Sequence, residues 1–164
     1  MAGIYIHIPF CKQKCSYCNF HFSTRLEGKE DIQKALLQEL GLRRDEIASQ
    51  SIETIYLGGG TPSLWKSQEL VQLFSKIESV TGKQNIQEIT IECNPDDLTT
   101  EYLEDLKKYT PVNRISVGIQ SFHDDDLRFM NRSHNAKEAR NALENIFRAG
   151  FKEVSADMIF GLPY

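Results

Sequence analysis

Five short apolar runs, rich in isoleucine and valine, recur along the 164 residues, and amphipathic stretches of about ten residues or more separate them. The runs are "IYIHI" (4–8), "TIYLG" (54–58), "EITIEC" (88–93), "RISVGI" (114–119) and "EVSADMIF" (153–160). Between them, 29–49, 67–80, 100–109 and 135–150 carry apolar residues at helical spacing. Ile32, Leu36, Leu40 and Ile47 fall near one face of the first, with Gly41 a weak point, and Leu70, Phe74 and Ile77 share a stripe on the second. Ser67 is an expected N-cap, and the helix over 100–109 is expected to begin at Thr100. Asn135 and Glu138 have capping-box spacing, and Gly150 is the expected residue just past the last helix. Strand–helix alternation of this depth specifies parallel βα units with right-handed crossovers. Two architectures satisfy it, an open doubly wound sheet and a whole or partial (β/α) barrel. We expect the partial parallel barrel, with about five βα units visible and open on one side.

In either architecture, function gathers at the carboxyl ends of the strands. The unusual residues of this chain fall there. Three cysteines follow the first strand, "GGGTPS" the second, Glu92 and Asn94 end the third, Gln120 ends the fourth, and Asp157 lies late in the fifth.

Length allows one core of ordinary size, so residues 1–164 are expected to be one domain. The chain ends at "MIFGLPY", on a fresh strand, from which we expect the N-terminal part of a longer protein, with a sixth strand and a C-terminal domain beyond Tyr164. A net charge of −4 argues against a broad nucleic-acid footprint, and no nucleic-acid partner is expected. No apolar run approaches the roughly 18 residues that span a bilayer. The N-terminus has no basic segment of the signal-peptide kind, so the cysteines read as reduced thiols in a cytoplasmic protein rather than as a disulfide framework.

Cys11, Cys15 and Cys18 form C-x3-C-x2-C in a stretch without helical periodicity, a loop that can curl around a ligand. Thiolates suit zinc or an iron–sulfur cluster. Structural zinc normally takes four protein ligands; His21 could supply the fourth, and Cys93 is distant in sequence. The alternative is a [4Fe-4S] cluster with one iron left for a substrate or cofactor. The glycine turn is not a P-loop, because no Gly-Lys-Ser/Thr follows. It reads either as a tight βα turn or as close backbone approach to a small ligand. Glu92, at the end of a buried strand, needs a cationic or hydroxyl partner, from a ligand or from an internal salt bridge. Arg132 is either a solvated surface group or a bidentate carboxylate partner. Asp157 stands in an apolar run, Cys93 reads as a small core residue, and His7, His21, His123 and His134 receive no role.

The cysteine spacing, with Tyr17 as the aromatic before the third cysteine, resembles the radical S-adenosylmethionine superfamily. "YIHIPFC", "GGGTPS", "IECNP", "SVGIQSF", "MNR" and "DMIFGLP", in order, resemble its oxygen-independent coproporphyrinogen III oxidase-like group over essentially the whole chain. The resemblance implies a [4Fe-4S] cluster on Cys11, Cys15 and Cys18, whose fourth iron takes the amino and carboxylate groups of S-adenosyl-L-methionine. In that family an electron from the cluster cleaves the sulfonium to methionine and a 5′-deoxyadenosyl radical. It also implies S-adenosylmethionine contacts at Tyr5, Tyr17, Gly59, Gly60, Thr61, Glu92, Gln120, Arg132 and Asp157. Oxidases of the group carry a further cysteine two residues after the third ligand, where this chain has Phe20. Phenylalanine there is characteristic of the HemW-like branch of haem chaperones. Implied partners are therefore haem or porphyrin, an electron donor and acceptor haem proteins, with peripheral membrane association in a longer protein. Oxidase activity is not expected; S-adenosylmethionine cleavage is left open. The competing readings are the oxidase of porphyrin biosynthesis and a zinc-stapled, non-catalytic interaction domain.

Overall fold

A computed structural model describes residues 2–163. Strands β1 (Ala2–Ile8), β2 (Ile52–Gly59), β3 (Glu88–Cys93), β4 (Arg114–Gln120) and β5 (Glu153–Met158) form one sheet in sequence order, every pair parallel. A doubly wound sheet reverses its strand order partway across. This one does not, which is the order of an unclosed barrel, with β1 and β5 at its two edges. The crossovers contain α1 (Lys29–Leu42), α2 (Arg44–Ala48), α3 (Ser67–Thr81), α4 (Thr100–Tyr109), α5 (Asp124–Phe129) and α6 (Ala136–Arg148).

Period-two alternation sorts the strand residues into two faces. Ile6, Ile8, Ile55, Leu57, Ile89, Ile91, Ile115, Val117 and Ile119 join one buried cluster with Leu70, Leu73 and Ile77 of α3, Leu103 and Leu106 of α4 and Ile146 of α6. Burial of each such side chain stabilises by about 1.5–3 kcal/mol. Tyr5, His7, Tyr56, Gly58, Thr90, Glu92, Ser116 and Gly118 alternate with them and share the concave face. A parallel sheet covered on both faces reads as continuous apolar runs. The alternation here marks a sheet with one face given to polar groups.

Local details depart from expectation at several termini. The helix expected over 29–49 is broken at Arg43 (φ −91°, ψ 13°), whose guanidinium reaches back to Glu39 and forward to Glu46 across the break. Lys66, not Ser67, caps α3, with its N–H bonded to the Glu69 carboxylate at 2.7 Å. Helix α4 begins at Thr100, as expected, and Thr99 caps it, its hydroxyl accepting from the Tyr102 N–H at 3.1 Å. The α6 capping box matches the sequence: Asn135 Oδ1 accepts from the Glu138 N–H at 2.9 Å, and Glu138 accepts from the Asn135 N–H at 2.8 Å. Gly150 follows α6 with φ +84°, as its place in the sequence requires. Helix α5 was not expected; its 6 residues are too few for a periodic pattern to register. No described helix is long and apolar enough to cross a membrane.

Candidate cofactor site at the carboxyl rim

Parallel register brings the carboxyl ends of the strands to one rim. Ile8 pairs with Gly59, and Cys93 with Val117. The cysteine loop leaves β1 at this rim and is stitched to the glycine turn that ends β2. The Gly60 N–H donates to the Ile8 carbonyl at 2.9 Å and the Thr61 N–H to the Phe10 carbonyl at 2.6 Å. The approach admits only glycine: a Cβ at Gly60 would lie 2.5 Å from the Phe10 oxygen. Gly59 holds φ +109°, and a Cβ there would enter the His7 ring at 2.4 Å. The His7 ring is fixed in turn by the Tyr5 hydroxyl at 3.1 Å on Nδ1 and the His21 carbonyl at 3.1 Å on Nε2.

Cys11, Cys15 and Cys18 line one open cavity with Tyr17, Phe20, Gly59, Gly60, Thr61, Glu92, Asn94, Gln120, Arg132 and Asp157. Glu92 is held by two donors, the Tyr56 hydroxyl at 2.8 Å and the Gly59 N–H at 3.1 Å. Arg132 crosses from the loop after α5. One terminal nitrogen donates to Cys15 Sγ at 3.3 Å and the Tyr17 hydroxyl at 3.2 Å; the other donates to Asn94 Oδ1 at 2.9 Å and the Gly118 carbonyl at 2.8 Å. Its Nε is buried without a partner. A buried donor with no acceptor costs about 1–3 kcal/mol, a deficit that a carboxylate ligand beside the thiols would relieve. A larger hollow of about 560 Å³ lies at the other end of the sheet, among Ile55, Phe74, Ile77 and Ile86. It gathers no thiols, so the rim cavity is where chemistry can occur.

Burial pushes the Cys11 thiol up, while a hydrogen bond from Thr61 favours its thiolate, as does the Arg132 charge. The charges of neighbouring Cys18 and Cys15 raise it further. A cationic centre shared by all three would remove that repulsion. Burial likewise moves the Tyr17 phenol up to about 12, with Arg132 opposing, and Tyr56 to about 12, aided by the Glu92 carboxylate that accepts its hydrogen bond. Among the described residues, no three His, Cys, Asp or Glu side chains are placed to hold a single metal ion. A cubane makes a different demand: each thiolate binds its own iron, so the sulfurs stand apart around a cluster. Three thiols around one cavity, an arginine with an unmet donor and a constrained carboxylate fit such a cluster and an amino-acid-bearing ligand.

Of the cluster ligands and S-adenosylmethionine contacts that the resemblance implies, all but Tyr5 line this cavity; His21, the candidate fourth zinc ligand, does not. Tyr5 lies lower on the concave face, its ring stacked on Tyr56 at 6.1 Å. It therefore connects to the cavity through Tyr56 and Glu92. Cys93 is buried in the core, as expected, although it also borders the cavity floor. Sequence reasoning missed Tyr56 as the partner of Glu92. Its position two residues before Gly58 on the concave face was the available signal. It also missed the roles of Asn94 and Gly118 in seating Arg132, for which no local signal exists.

Residues 5–164 match the Radical SAM superfamily model, and the chain belongs to that family. The family implies a [4Fe-4S] cluster and S-adenosylmethionine. The chain is 36% identical to the haem chaperone HemW of Bacillus subtilis, over 99% of this chain and 43% of that protein. It is 39% identical to HemW of Haemophilus influenzae, over 98% of this chain and 43% of that protein. Its fold is similar to the solved structure of coproporphyrinogen III oxidase (HemN) from Escherichia coli, a radical SAM enzyme. The TM-score is 0.85 at 30% identity, covering 98% of this chain and 37% of that one. The chain thus spans less than half the length of these relatives.

Proposed function

We propose that this chain is the cluster- and S-adenosylmethionine-binding part of a HemW-like haem chaperone, which binds haem and delivers it to acceptor haem proteins. Cys11, Cys15 and Cys18 hold the cluster, whose chemistry when loaded is one-electron delivery to a bound sulfonium. Arg132 takes the methionyl carboxylate, and the Gly59–Thr61 turn and Glu92 take its amino end. Gln120 and Asp157 face the nucleoside. The proposed location is the cytoplasm, where thiols stay reduced.

The observation that carries the haem reading is Phe20. It stands at the cavity mouth with 76% of its surface exposed, in the place where the oxidases of the group have a further cysteine. An apolar ring there adds no metal ligand and offers a flat surface to a macrocycle. The test is anaerobic reconstitution of the intact protein, with iron and sulfide analysis, followed by haem titration and an assay for coproporphyrinogen III oxidation. A cluster lost in Cys11→Ala, haem binding and no oxidase turnover are the expected results. Phe20→Cys alone is expected not to confer oxidase activity. Oxidase turnover by the unaltered protein, or failure to bind haem, would overturn the reading. The likeness to HemN favours the oxidase as the second reading.

A further inference from the structure

The cysteine loop has no regular secondary structure, yet it is ordered from outside itself. The contacts come from a turn far along the chain, Phe129–Arg132, which ends α5. That turn has the bonding of a Schellman motif: the Asn131 N–H donates to the Arg128 carbonyl at 3.0 Å and the Arg132 N–H to the Leu127 carbonyl at 2.9 Å. Asn131 is the left-handed residue, with φ +53°. At the end of α6 the same job falls to Gly150, which has no loop to hold. Asparagine tolerates this conformation and adds a carboxamide.

The carboxamide is used. Asn131 Nδ2 donates to the Lys14 carbonyl at 2.7 Å, and the Asn131 carbonyl accepts from Gln13 Nε2 at 2.7 Å. Beside it, the last carbonyls of α5 receive the loop: the Met130 carbonyl accepts from the Ser16 N–H at 3.0 Å and the Phe129 carbonyl from the Ser16 hydroxyl at 3.1 Å. A helix cannot satisfy its own final carbonyls, so α5 and the cysteine loop supply what each lacks. Lys12 anchors the other side of the loop to Asp96 at 2.6 Å and to Asp97. Every residue from 12 to 16 thereby touches the body of the domain, and the residue after Asn131 is the arginine that reaches Cys15.

We propose that Asn131 is a positioning residue for the cysteine loop: its left-handed turn and its carboxamide shape the Cys11–Cys18 segment before any metal is loaded. Ordering a flexible loop costs conformational entropy. Contacts between the loop and the Phe129–Arg132 turn spare the cluster part of that cost, so it assembles faster and is held longer. The proposal rests on the iron–sulfur reading for its consequence but not for its geometry.

Two substitutions separate the two contributions. Asn131→Gly keeps the turn and loses the carboxamide; Asn131→Ala loses the carboxamide and strains the turn. In reconstituted intact protein under anaerobic conditions, an iron chelator is expected to strip the cluster about fivefold faster from Asn131→Gly. Asn131→Ala is expected to lose it about twentyfold faster. In the metal-free protein, hydrogen exchange at the Ser16 amide is expected to rise by a similar factor in Asn131→Gly, with the strand amides unchanged. Equal iron retention in both variants and the parent overturns the proposal, as does a loss of protection spread evenly over loop and strands. If the unaltered protein takes up no iron, the iron–sulfur reading fails by itself. The Ser16 exchange then still decides whether Asn131 orders the loop.

Discussion

The two faces of the sheet follow opposite rules. On the helix side, Ile55, Leu57, Ile91 and Val117 are closed off from water, and each substitution there is a matter of volume. On the concave side, Tyr56, Glu92, Gly118 and Gln120 stand on the same strands, and what matters is which polar atom meets which. The contrast teaches how one alternating strand does two jobs. The apolar residues fix register, and register then delivers the polar residues to the rim. Stability and ligand binding should therefore be separable by face.

The largest expected effect lies on the helix side. Leu57→Ala, at a fully buried position in the middle of the core, is expected to cost about 3 kcal/mol in chemical denaturation. The fraction that remains folded should bind S-adenosylmethionine as before. A loss of affinity in that fraction would break the separation. Next comes Arg132→Ala, on the concave side. It removes the charge and the unmet donor, and should weaken S-adenosylmethionine binding about thirtyfold in calorimetry of the reconstituted protein. Iron content should be retained, since none of the three thiols is removed. Unchanged affinity would refute the assignment of Arg132. Tyr56→Phe should be milder, about fivefold in affinity, because Glu92 keeps the Gly59 N–H as a donor. An effect larger than that of Arg132→Ala would show that Glu92, not Arg132, dominates recognition.

The rim was legible in the sequence because each of its pieces is local. A strand announces itself by alternation, and the residue after it inherits its place. Cys11, Gly60, Glu92 and Asp157 could be put on one rim without a contact being known. The parts that were not legible depend on distance. Arg132 meets Cys15 across 117 positions, and nothing near either residue reports the meeting. Helix α5 opens on Asp124, Asp125 and Asp126 and is 6 residues long, too short for a periodic pattern to announce it. Yet its final turn holds the cysteine segment. The cap of α3 falls at Lys66, one residue before Ser67, where the Lys66 N–H meets the Glu69 carboxylate.

The smallest effect sits where the two faces meet. His134 is buried beneath the rim, its Nε2 at 3.0 Å from the Ile119 carbonyl. Burial holds its pKa below the ordinary value of 6.5, and the Arg132 charge pushes the same way; the Ile119 hydrogen bond, Asp96 and Glu138 oppose them without reversing the shift. The unfolded chain therefore binds the proton more readily than the native protein. The neutral imidazole's contribution is fully present above the ordinary histidine range and is lost as pH falls through it toward the lowered native value. Melting temperature should consequently drop on acidification through pH 6.5, beyond what the carboxylates alone cause. His134→Gln can still donate to the Ile119 carbonyl but does not titrate, so its melting profile should be flatter over that interval. Parallel profiles for the two proteins would mean that His134 is protonated at no cost, and that the boundary beneath the rim is wetter than its burial indicates.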